Sequence, residues 1–339
     1  MKYIVSKHCG FCSGVKRAVE YAYKNAGENT VTYGELIHNK IVVDKLAEKG
    51  VTAVNDISQC IGKKVIVRSH GAGKDFFDKA SALGIEVIDA TCPFVKKIHD
   101  IVYRHYIDGY HIAIIGKAGH PEVEGTNGWC ENTASIVDDE KAAEALVHFE
   151  RVCFVTQTTY LLEKYLRILK KIRKLPFKTV EIFNTICYTT ISRQNDAENI
   201  SRKCTKVLVI GSGNSSNTRK LMETAAGLSD VYLVENLDDL YKIKFSTNDV
   251  IGITAGASTP DELIMEVKEY MSEKFADVQN AEFLEEKGVG IWIKSSTNIN
   301  ETLHSLLNNP EKFKQMKVNA KLLAKKYSTR DICKILLEK

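Results

Sequence analysis

The sequence lacks the features that mark membrane proteins, linker-rich chains and nucleic-acid-binding proteins. No run reaches the about 18 apolar residues of a membrane-spanning helix, and only 5 prolines and no low-complexity segment interrupt its 339 residues. The 47 basic residues nearly balance the 43 acidic ones, with no long basic run. We therefore expect no membrane span and no nucleic-acid partner. The N-terminal apolar run is too short for a secretory signal, which predicts a cytoplasmic protein.

The nine cysteines show no disulfide framework, because their number is odd and their spacing is scattered. In a reducing compartment a cysteine is either a small buried apolar residue or a working thiolate. We predict the buried structural role for five of them, namely Cys60, Cys130, Cys153, Cys204 and Cys333.

Short apolar runs alternate with amphipathic stretches along most of the chain. Residues 64–67 read as a strand and 74–83 as a helix, and the same pair recurs several times. This alternation predicts an α/β protein with mainly parallel sheets. We predict three similar α/β units at residues 1–92, 93–187 and 188–278, and a helical appendage at 279–339. The helix that follows Pro260 is predicted to end near residue 276.

Three cysteines divide the chain at regular intervals. Cys12, Cys92 and Cys187 are separated by 80 and 95 residues, and each lies where a strand ends and a helix begins. Ligands gather at this carboxyl edge of open α/β sheets, so three units could bring the cysteines to one central point. Three thiolates can hold a cubane of four irons and leave one iron without a protein ligand. This arrangement predicts an iron–sulfur cluster that can bind substrate as a Lewis acid.

A second interpretation starts from Cys9 and Cys12, which form a C-x-x-C motif at the start of a helix. A helix N-terminus lowers a thiol pKa, so this motif is also typical of a dithiol oxidoreductase. A four-cysteine zinc site is disfavoured because the chain has no second C-x-x-C. The dithiol alternative does not explain Cys92 or Cys187, but it remains open at this point.

Three histidines lie on loops that follow apolar strands and adjoin a glycine or a helix start. They are His38, His70 and His120, and such positions suit an anion. With a diphosphate bound, these histidines are predicted to become protonated. Glu122, two residues after His120, is the expected proton donor.

Small polar residues follow three other strands. A glycine-rich turn precedes Ser215, Ser216 and Asn217, and Ser258 lies just before another helix start. Free N–H groups and hydroxyls at such turns bind phosphate oxygens. Thr158 adds a hydroxyl to the same edge.

The segments that carry a family resemblance occur in order over residues 1–278. They are Gly10-Phe11-Cys12, His38-Asn39, Ser69-His70-Gly71, Asp89-Ala90-Thr91-Cys92-Pro93, Ala118-Gly119-His120-Pro121-Glu122-Val123-Glu124-Gly125-Thr126, Thr156-Gln157-Thr158-Thr159, Ile186-Cys187, Asn214-Ser215-Ser216-Asn217 and Thr254-Ala255-Gly256-Ala257-Ser258. Together they resemble the 4-hydroxy-3-methylbut-2-enyl diphosphate reductases, the LytB/IspH family.

The resemblance implies a trefoil of three α/β units around a central [4Fe-4S] cluster held by Cys12, Cys92 and Cys187. It implies catalytic roles for Glu122, His120 and Thr158. It also implies reduction of an allylic diphosphate to isopentenyl and dimethylallyl diphosphate, with a ferredoxin or flavodoxin-type electron donor. The implied substrate-binding residues are His38, His70, His120, Thr158, Ser215, Ser216, Asn217 and Ser258.

The C-terminal appendage shows a different resemblance. Residues 280–334 are similar to the extreme C-terminus of MurG-like diacylglycerol glucosyltransferases. The sugar-nucleotide loop of those enzymes lies upstream of this region and is absent here, so we expect no transferase activity.

Overall fold

The computed structural model describes residues 2–246, 248–291 and 298–326. Its internal contacts separate two units, residues 2–267 and residues 268–339. All the strands of the described residues belong to the first unit, and they form three sheets of four strands each.

The first sheet contains, in spatial order, β3 (Thr52–Val54), β2 (Thr30–Tyr33), β4 (Lys64–Val67) and β5 (Glu86–Asp89). The second contains β7 (Ser135–Val137), β6 (His111–Ile115), β8 (Arg151–Thr156) and β9 (Thr179–Ile182). The third contains β1 (Lys2–Val5), β12 (Val250–Ala255), β10 (Lys206–Ile210) and β11 (Asp230–Val234). Every strand pair in these sheets is parallel, which confirms the predicted α/β class.

The first strand joins the third sheet rather than the sheet that follows it in the chain. Lys2 is in register with Val250 and Val5 with Ile253, so β1 lies beside β12. The three sheets therefore do not each come from one continuous segment, and the predicted unit borders stay a prediction.

The helices of the first unit fill the connections between these parallel strands. They are α1 (Ser13–Lys24), α2 (Lys40–Ala47), α3 (Lys74–Ala82), α4 (Pro93–Ile107), α5 (Pro121–Asn127), α6 (Glu140–Glu144), α7 (Leu162–Ile172), α8 (Tyr188–Ser201), α9 (Ser216–Ala225) and α10 (Leu237–Tyr241). The central strands are buried, with Val65, Ile66 and Val67 all 0% exposed, as expected for parallel strands covered on both faces.

The helix after Pro260 is longer than predicted. It runs as α11 (Asp261–Glu286) and does not end near residue 276, because nothing in that stretch, neither proline nor glycine, interrupts it. The predicted border at residue 278 therefore falls within a continuous helix.

The second unit contains the end of α11, then α12 (Ile299–Leu307) and α13 (Pro310–Lys326). The last residues of the glucosyltransferase-like segment, from 327 onward, lie outside the described residues. Within the described ranges, no helix combines the length and the apolar composition needed to cross a membrane.

The cysteines predicted to be structural are buried wherever the structure describes them. Cys60, Cys130 and Cys153 are 0% exposed and Cys204 is 7% exposed, and none forms a disulfide. The prediction is confirmed for these four, and Cys333 lies outside the described residues.

Candidate active site

All the predicted site residues line one cavity of the first unit. This cavity brings together residues that are far apart in the chain, listed here in sequence order: Cys12, His38, His70, Cys92, His120, Glu122, Thr158, Cys187, Ser215, Ser216, Asn217 and Ser258. Each follows the carboxyl end of a strand or begins the next helix. The three sheets therefore present their ligand-binding edges to one common space.

The three cysteines occupy equivalent places in the fold. Cys12, Cys92 and Cys187 are the N-cap residues of α1, α4 and α8. The free N–H groups and the dipole of a helix N-terminus favour negative charge. Three helices therefore direct their positive ends at the same part of the cavity, where thiolates or an anionic cluster gain stability.

The backbone of each cysteine is fixed in the same way. Each cysteine N–H donates a hydrogen bond to the carbonyl oxygen of a residue in another loop that lines the cavity. These pairs are Cys12 with Ala257 at 3.1 Å, Cys92 with Ser69 at 3.0 Å, and Cys187 with Thr158 at 3.0 Å. The loops that carry the thiols are thus bonded directly to the loops that carry the histidines and hydroxyls.

The thiols lie close enough to influence one another. Burial raises the pKa of the Cys92 thiol, and the nearby Cys12 and Cys187 raise it further. A Cβ atom added at Gly14 would lie 2.7 Å from Cys92 Sγ and 4.0 Å from Cys12 Sγ. Glycine at position 14 therefore leaves room for the Cys92 side chain against α1.

This donor set fits a multi-iron cluster better than a single ion. No group of three or more histidine, cysteine or acidic side chains in the described part of the chain is arranged to hold one metal ion. The three cysteines nevertheless share one cavity, and thiolates are the protein ligands of iron–sulfur clusters. These three cysteines would therefore be the residues that hold such a cluster.

The rings of the three histidines also lie close together in this cavity. The ring centres of His38 and His70 are 4.9 Å apart, those of His70 and His120 are 5.8 Å apart, and those of His38 and His120 are 6.4 Å apart. Burial lowers the pKa of all three, to about 4 for His120, and their mutual repulsion lowers the pKa of His70 and His120 further. Without a ligand the three imidazoles are therefore neutral.

The hydrogen bonds of His120 determine which of its ring nitrogens carries the proton. The Glu122 backbone N–H donates to His120 Nδ1 at 3.1 Å, so the neutral ring must carry its hydrogen on Nε2. Nε2 is buried and has no partner among the described residues, as is true of His70 Nδ1 and Asn217 Nδ2. Buried polar atoms without partners are costly, and an oxyanion in the cavity would satisfy them.

Sequence reasoning missed two cations beside these histidines. Arg68 interacts electrostatically with all three rings, and Arg219 with His38 and His120. Arg68 directly precedes the Ser-His pair after β4, and Arg219 lies one turn after the start of α9. The sequence could have pointed to both arginines through their positions next to motif residues, because basic residues are common near phosphate sites.

The side chain of Glu122 is held by Thr158. The Thr158 backbone N–H donates to Glu122 Oε1 at 2.5 Å, and its hydroxyl donates to Oε2 at 2.6 Å. Burial raises the pKa of this carboxyl to about 7, although the two hydrogen bonds from Thr158 act to lower it. Glu122 can therefore carry or release a proton near neutral pH, as a general acid requires.

The hydroxyl residues form a connected group. The Ser258 hydroxyl donates to Ser215 Oγ at 3.3 Å, and the Thr159 hydroxyl donates to Ser216 Oγ at 3.0 Å. Ser215 is also the N-cap of α9. These side chains and the N-terminus of α9 provide several donors for phosphate oxygens without any fixed negative charge.

Cys9, the other half of the C-x-x-C motif, does not line the cavity. Its thiol donates to the carbonyl oxygens of Ser6 at 3.5 Å and Ile253 at 4.0 Å. Burial raises its pKa, which disfavours the thiolate that dithiol exchange needs. The geometry therefore does not favour the dithiol alternative.

Comparisons with known proteins agree with this site. The family model described as LytB protein matches residues 3–272. A 4-hydroxy-3-methylbut-2-enyl diphosphate reductase of Thermoanaerobacter sp. (strain X514) is 42% identical over 275 residues, covering 79% of this chain and 95% of that protein. One from Clostridioides difficile (strain 630) is 40% identical and covers 79% of this chain and 98% of the relative.

Two solved structures are also similar. The (E)-1-hydroxy-2-methyl-but-2-enyl-4-diphosphate reductase of Plasmodium falciparum superposes with a TM-score of 0.73 at 28% identity, covering 79% of this chain and 87% of that one. A second structure, of an (E)-4-hydroxy-3-methyl-but-2-enyl diphosphate reductase, has a TM-score of 0.60 at 35% identity and covers 80% and 100% of the two chains. LytB proteins are oxidoreductases of isoprenoid biosynthesis that use an iron–sulfur cluster. Since the family model spans most of the sequence and these relatives match it along nearly their whole length, this chain belongs to the LytB family.

Proposed function

We propose that this protein reduces (E)-4-hydroxy-3-methylbut-2-enyl diphosphate to isopentenyl and dimethylallyl diphosphate. The reaction breaks the allylic C–O bond, consumes two electrons and two protons, and releases one water. The observation that carries the proposal is the cavity itself, where thiols, neutral anion-binding donors and a buried carboxyl meet.

We assign Cys12, Cys92 and Cys187 as the ligands of a [4Fe-4S] cluster. Their shared cavity, their helix N-cap positions and the close approach at Gly14 support this assignment. When bound, such a cluster supplies single electrons and an iron without a protein ligand that can accept a substrate oxygen.

The diphosphate is assigned to the side of the cavity that holds the histidines. His38, His70 and His120 can donate from their rings. A nearby diphosphate would raise the pKa of His38 and His70 and favour their cationic forms. His120 donates from Nε2 and stays neutral, because its Nδ1 accepts from the Glu122 N–H. Four further side chains donate at the same side: Ser215, Ser216, Asn217 and Ser258. Arg68 and Arg219 add positive charge, so the anionic end of the substrate is oriented away from the cysteines.

Glu122 is assigned as the proton donor to the departing hydroxyl or the allylic carbon. Its pKa of about 7 leaves a large protonated fraction at neutral pH, and a bound diphosphate would raise that fraction. Thr158 bonds both carboxyl oxygens, so it can orient the carboxyl and share its hydroxyl proton with the substrate. His120 links diphosphate binding to proton donation, because its Nδ1 accepts from the Glu122 N–H.

The electrons are assigned to an external one-electron carrier, a ferredoxin or flavodoxin-type protein. Such carriers match a cluster that takes one electron at a time. Turnover with each purified carrier, reduced by the same enzymatic system, would distinguish the two.

The decisive test uses protein purified without air. We expect iron and acid-labile sulfide near four each per chain, and conversion of the allylic diphosphate to both products with dithionite and a viologen mediator, followed by mass spectrometry. Cys92→Ser is the matched negative control. Iron-loaded protein that leaves the substrate unchanged would refute the proposed function.

A further inference from the structure

Arg193 is a buried cation with no carboxylate among its hydrogen-bond partners in the described residues. It lies on α8 and is 3% exposed. Its Nη1 donates to His8 O at 2.7 Å and to Ala255 O at 3.0 Å, and its Nη2 donates to Gly10 O at 2.7 Å. Neutral carbonyls alone do not balance a buried charge, which normally has an anionic partner.

The three carbonyls belong to segments that carry cavity residues. His8 and Gly10 are in the loop that leads to Cys12, and Ala255 ends β12, shortly before Ser258. Arg193 itself is on the helix that begins after Cys187. One guanidinium therefore connects the loop of the first cysteine to the helix of the third.

Helix α8 also contacts the loop before Cys12 through a second residue, Asp196. Asp196 Oδ2 accepts from the Ser6 hydroxyl at 2.9 Å and contacts His8 Nδ1 at 2.8 Å. Asp196 is thus engaged by the loop and does not hydrogen-bond to Arg193. Asp196 nevertheless interacts electrostatically with Arg193. The thiols of Cys12, Cys9 and Cys187 do so as well, and the interaction with Cys12 is the largest of the four.

A positive charge near metal-bound thiolates has a definite consequence. Adding an electron to a cluster increases its negative charge, so a fixed nearby cation favours the reduced state, and burial weakens the screening by water. The Nε atom of Arg193 is buried and has no hydrogen-bond partner among the described residues, so this cation is poorly hydrated.

We infer that Arg193 is a positioning residue that holds the Cys12 loop against α8 and supplies the buried countercharge that eases reduction of the cluster. This inference rests on the proposed function, since it needs the cluster to be present. It assigns to Arg193 an effect on the reduction potential, which a purely structural residue would not have.

The test is an anaerobic redox titration of the cluster-loaded full chain, followed by electron paramagnetic resonance, with iron content measured in parallel. One electron passes from the dithionite titrant to the cluster. In Arg193→Gln the ratio of reduced to oxidised cluster at a fixed potential should fall about tenfold, a shift of about 59 mV to more negative potential for a one-electron couple. Arg193→Lys, which keeps the charge, should shift it far less.

Arg202→Gln is the matched control, because it removes the same charge at the C-cap of the same helix, from an exposed position paired with Glu198. It should keep the wild-type potential. Equal shifts in Arg193→Gln and Arg193→Lys, or no shift in either, would overturn the inference. If Arg193→Gln holds no iron, Arg193→Lys decides: a wild-type potential supports the countercharge role, and a tenfold change in the ratio refutes it. Wild-type protein without a cluster would refute the proposed function instead.

Discussion

The two sides of the cavity are built on different principles. The cysteine side, Cys12, Cys92 and Cys187, uses one residue type three times, each at the N-terminus of a helix. The histidine side, His38, His70 and His120 with the neighbouring serines and Asn217, uses several residue types that are all neutral without a ligand.

This difference reflects when each side has to balance charge: at all times, or only while the substrate is bound. Under the proposed function the cysteine side carries negative charge permanently, and the N-termini of three helices lie there to stabilise it. Under the same proposal the histidine side accepts an anion and later releases it, so part of its positive charge can develop on binding, beside the fixed charges of Arg68 and Arg219. We expect single substitutions to be decisive on the cysteine side and graded on the histidine side.

The largest effect should come from the cysteine side. Cys12→Ser, Cys92→Ser and Cys187→Ser are each expected to lose most bound iron and all measurable turnover, because a hydroxyl is a poor iron ligand. Iron analysis and product formation check this. Cys9→Ser should retain both, since its thiol does not line the cavity and bonds the carbonyl oxygens of Ser6 and Ile253. A Cys9 variant that behaves like Cys12→Ser would mean that the ligand set is wrong.

Glu122 lies between the two sides, and its substitution should slow the reaction while leaving binding intact. We expect Glu122→Gln to reduce kcat by about 10²–10⁴-fold, the usual contribution of a general acid. KM should change little because the amide retains the size of the carboxyl. Steady-state kinetics under anaerobic conditions measures both constants. Wild-type kcat in this variant would transfer the proton role to another group.

The histidine side should take up protons when an anion binds. The free imidazoles have a lowered pKa, about 4 for His120, and a bound diphosphate raises it. The bound state then holds more protons than the free state, so affinity should fall as the pH rises from 6 to 8. Calorimetry of inorganic diphosphate binding in buffers of different ionisation enthalpy counts these protons. His38→Asn should lower the count, since His120 Nδ1 already accepts from the Glu122 N–H. Identical counts in wild type and variant would place the protonation elsewhere.

Glu122 should also influence stability in a pH-dependent way. Its folded pKa of about 7 is raised from 4.5, so the folded state binds more protons between these values, and stability falls as the pH rises through this window. Complete loss of this contribution lowers the free energy of unfolding by on the order of 3 kcal/mol. Denaturant unfolding of wild type and Glu122→Gln at pH 5 and pH 8 isolates it. The variant should lose less stability than wild type between the two pH values, and equal losses would contradict the raised pKa.

The smallest effect is expected outside both sides. Every assigned residue belongs to the unit at residues 2–267, and the family match ends at residue 272. A chain shortened after Lys287, which retains α11 whole, should load iron and turn over at a comparable rate. A shortened chain with full iron and no turnover would show that residues 288–339 take part in the reaction.

Much of this site could be predicted from the chain because its chemistry is local. A cysteine or histidine at a strand-to-helix junction is visible as an apolar run followed by a helical pattern. The carboxyl ends of parallel strands share one edge, so the motif residues were expected to meet. The strand β4, at Lys64–Val67, was predicted at its observed bounds for the same reason. The predicted end of α11 near residue 276 was wrong for a local reason, because no proline or glycine stops the helix there.

Other features depend on contacts between distant segments. The pairing of β1 with β12 joins residues about 250 positions apart, and no periodicity reports such a partner. Arg193 was not among the predicted site residues, because its hydrogen-bond partners are three carbonyl oxygens from other parts of the chain.

The sequence by itself determined the α/β class and the strand ends on which the predicted site residues lie. The tertiary structure decided their protonation states: the neutral histidines, the carboxyl of Glu122 with its pKa near 7, and the buried charge of Arg193. The physical reason is that the nature of a side chain is a local property, whereas its charge depends on desolvation and on neighbours from the whole fold.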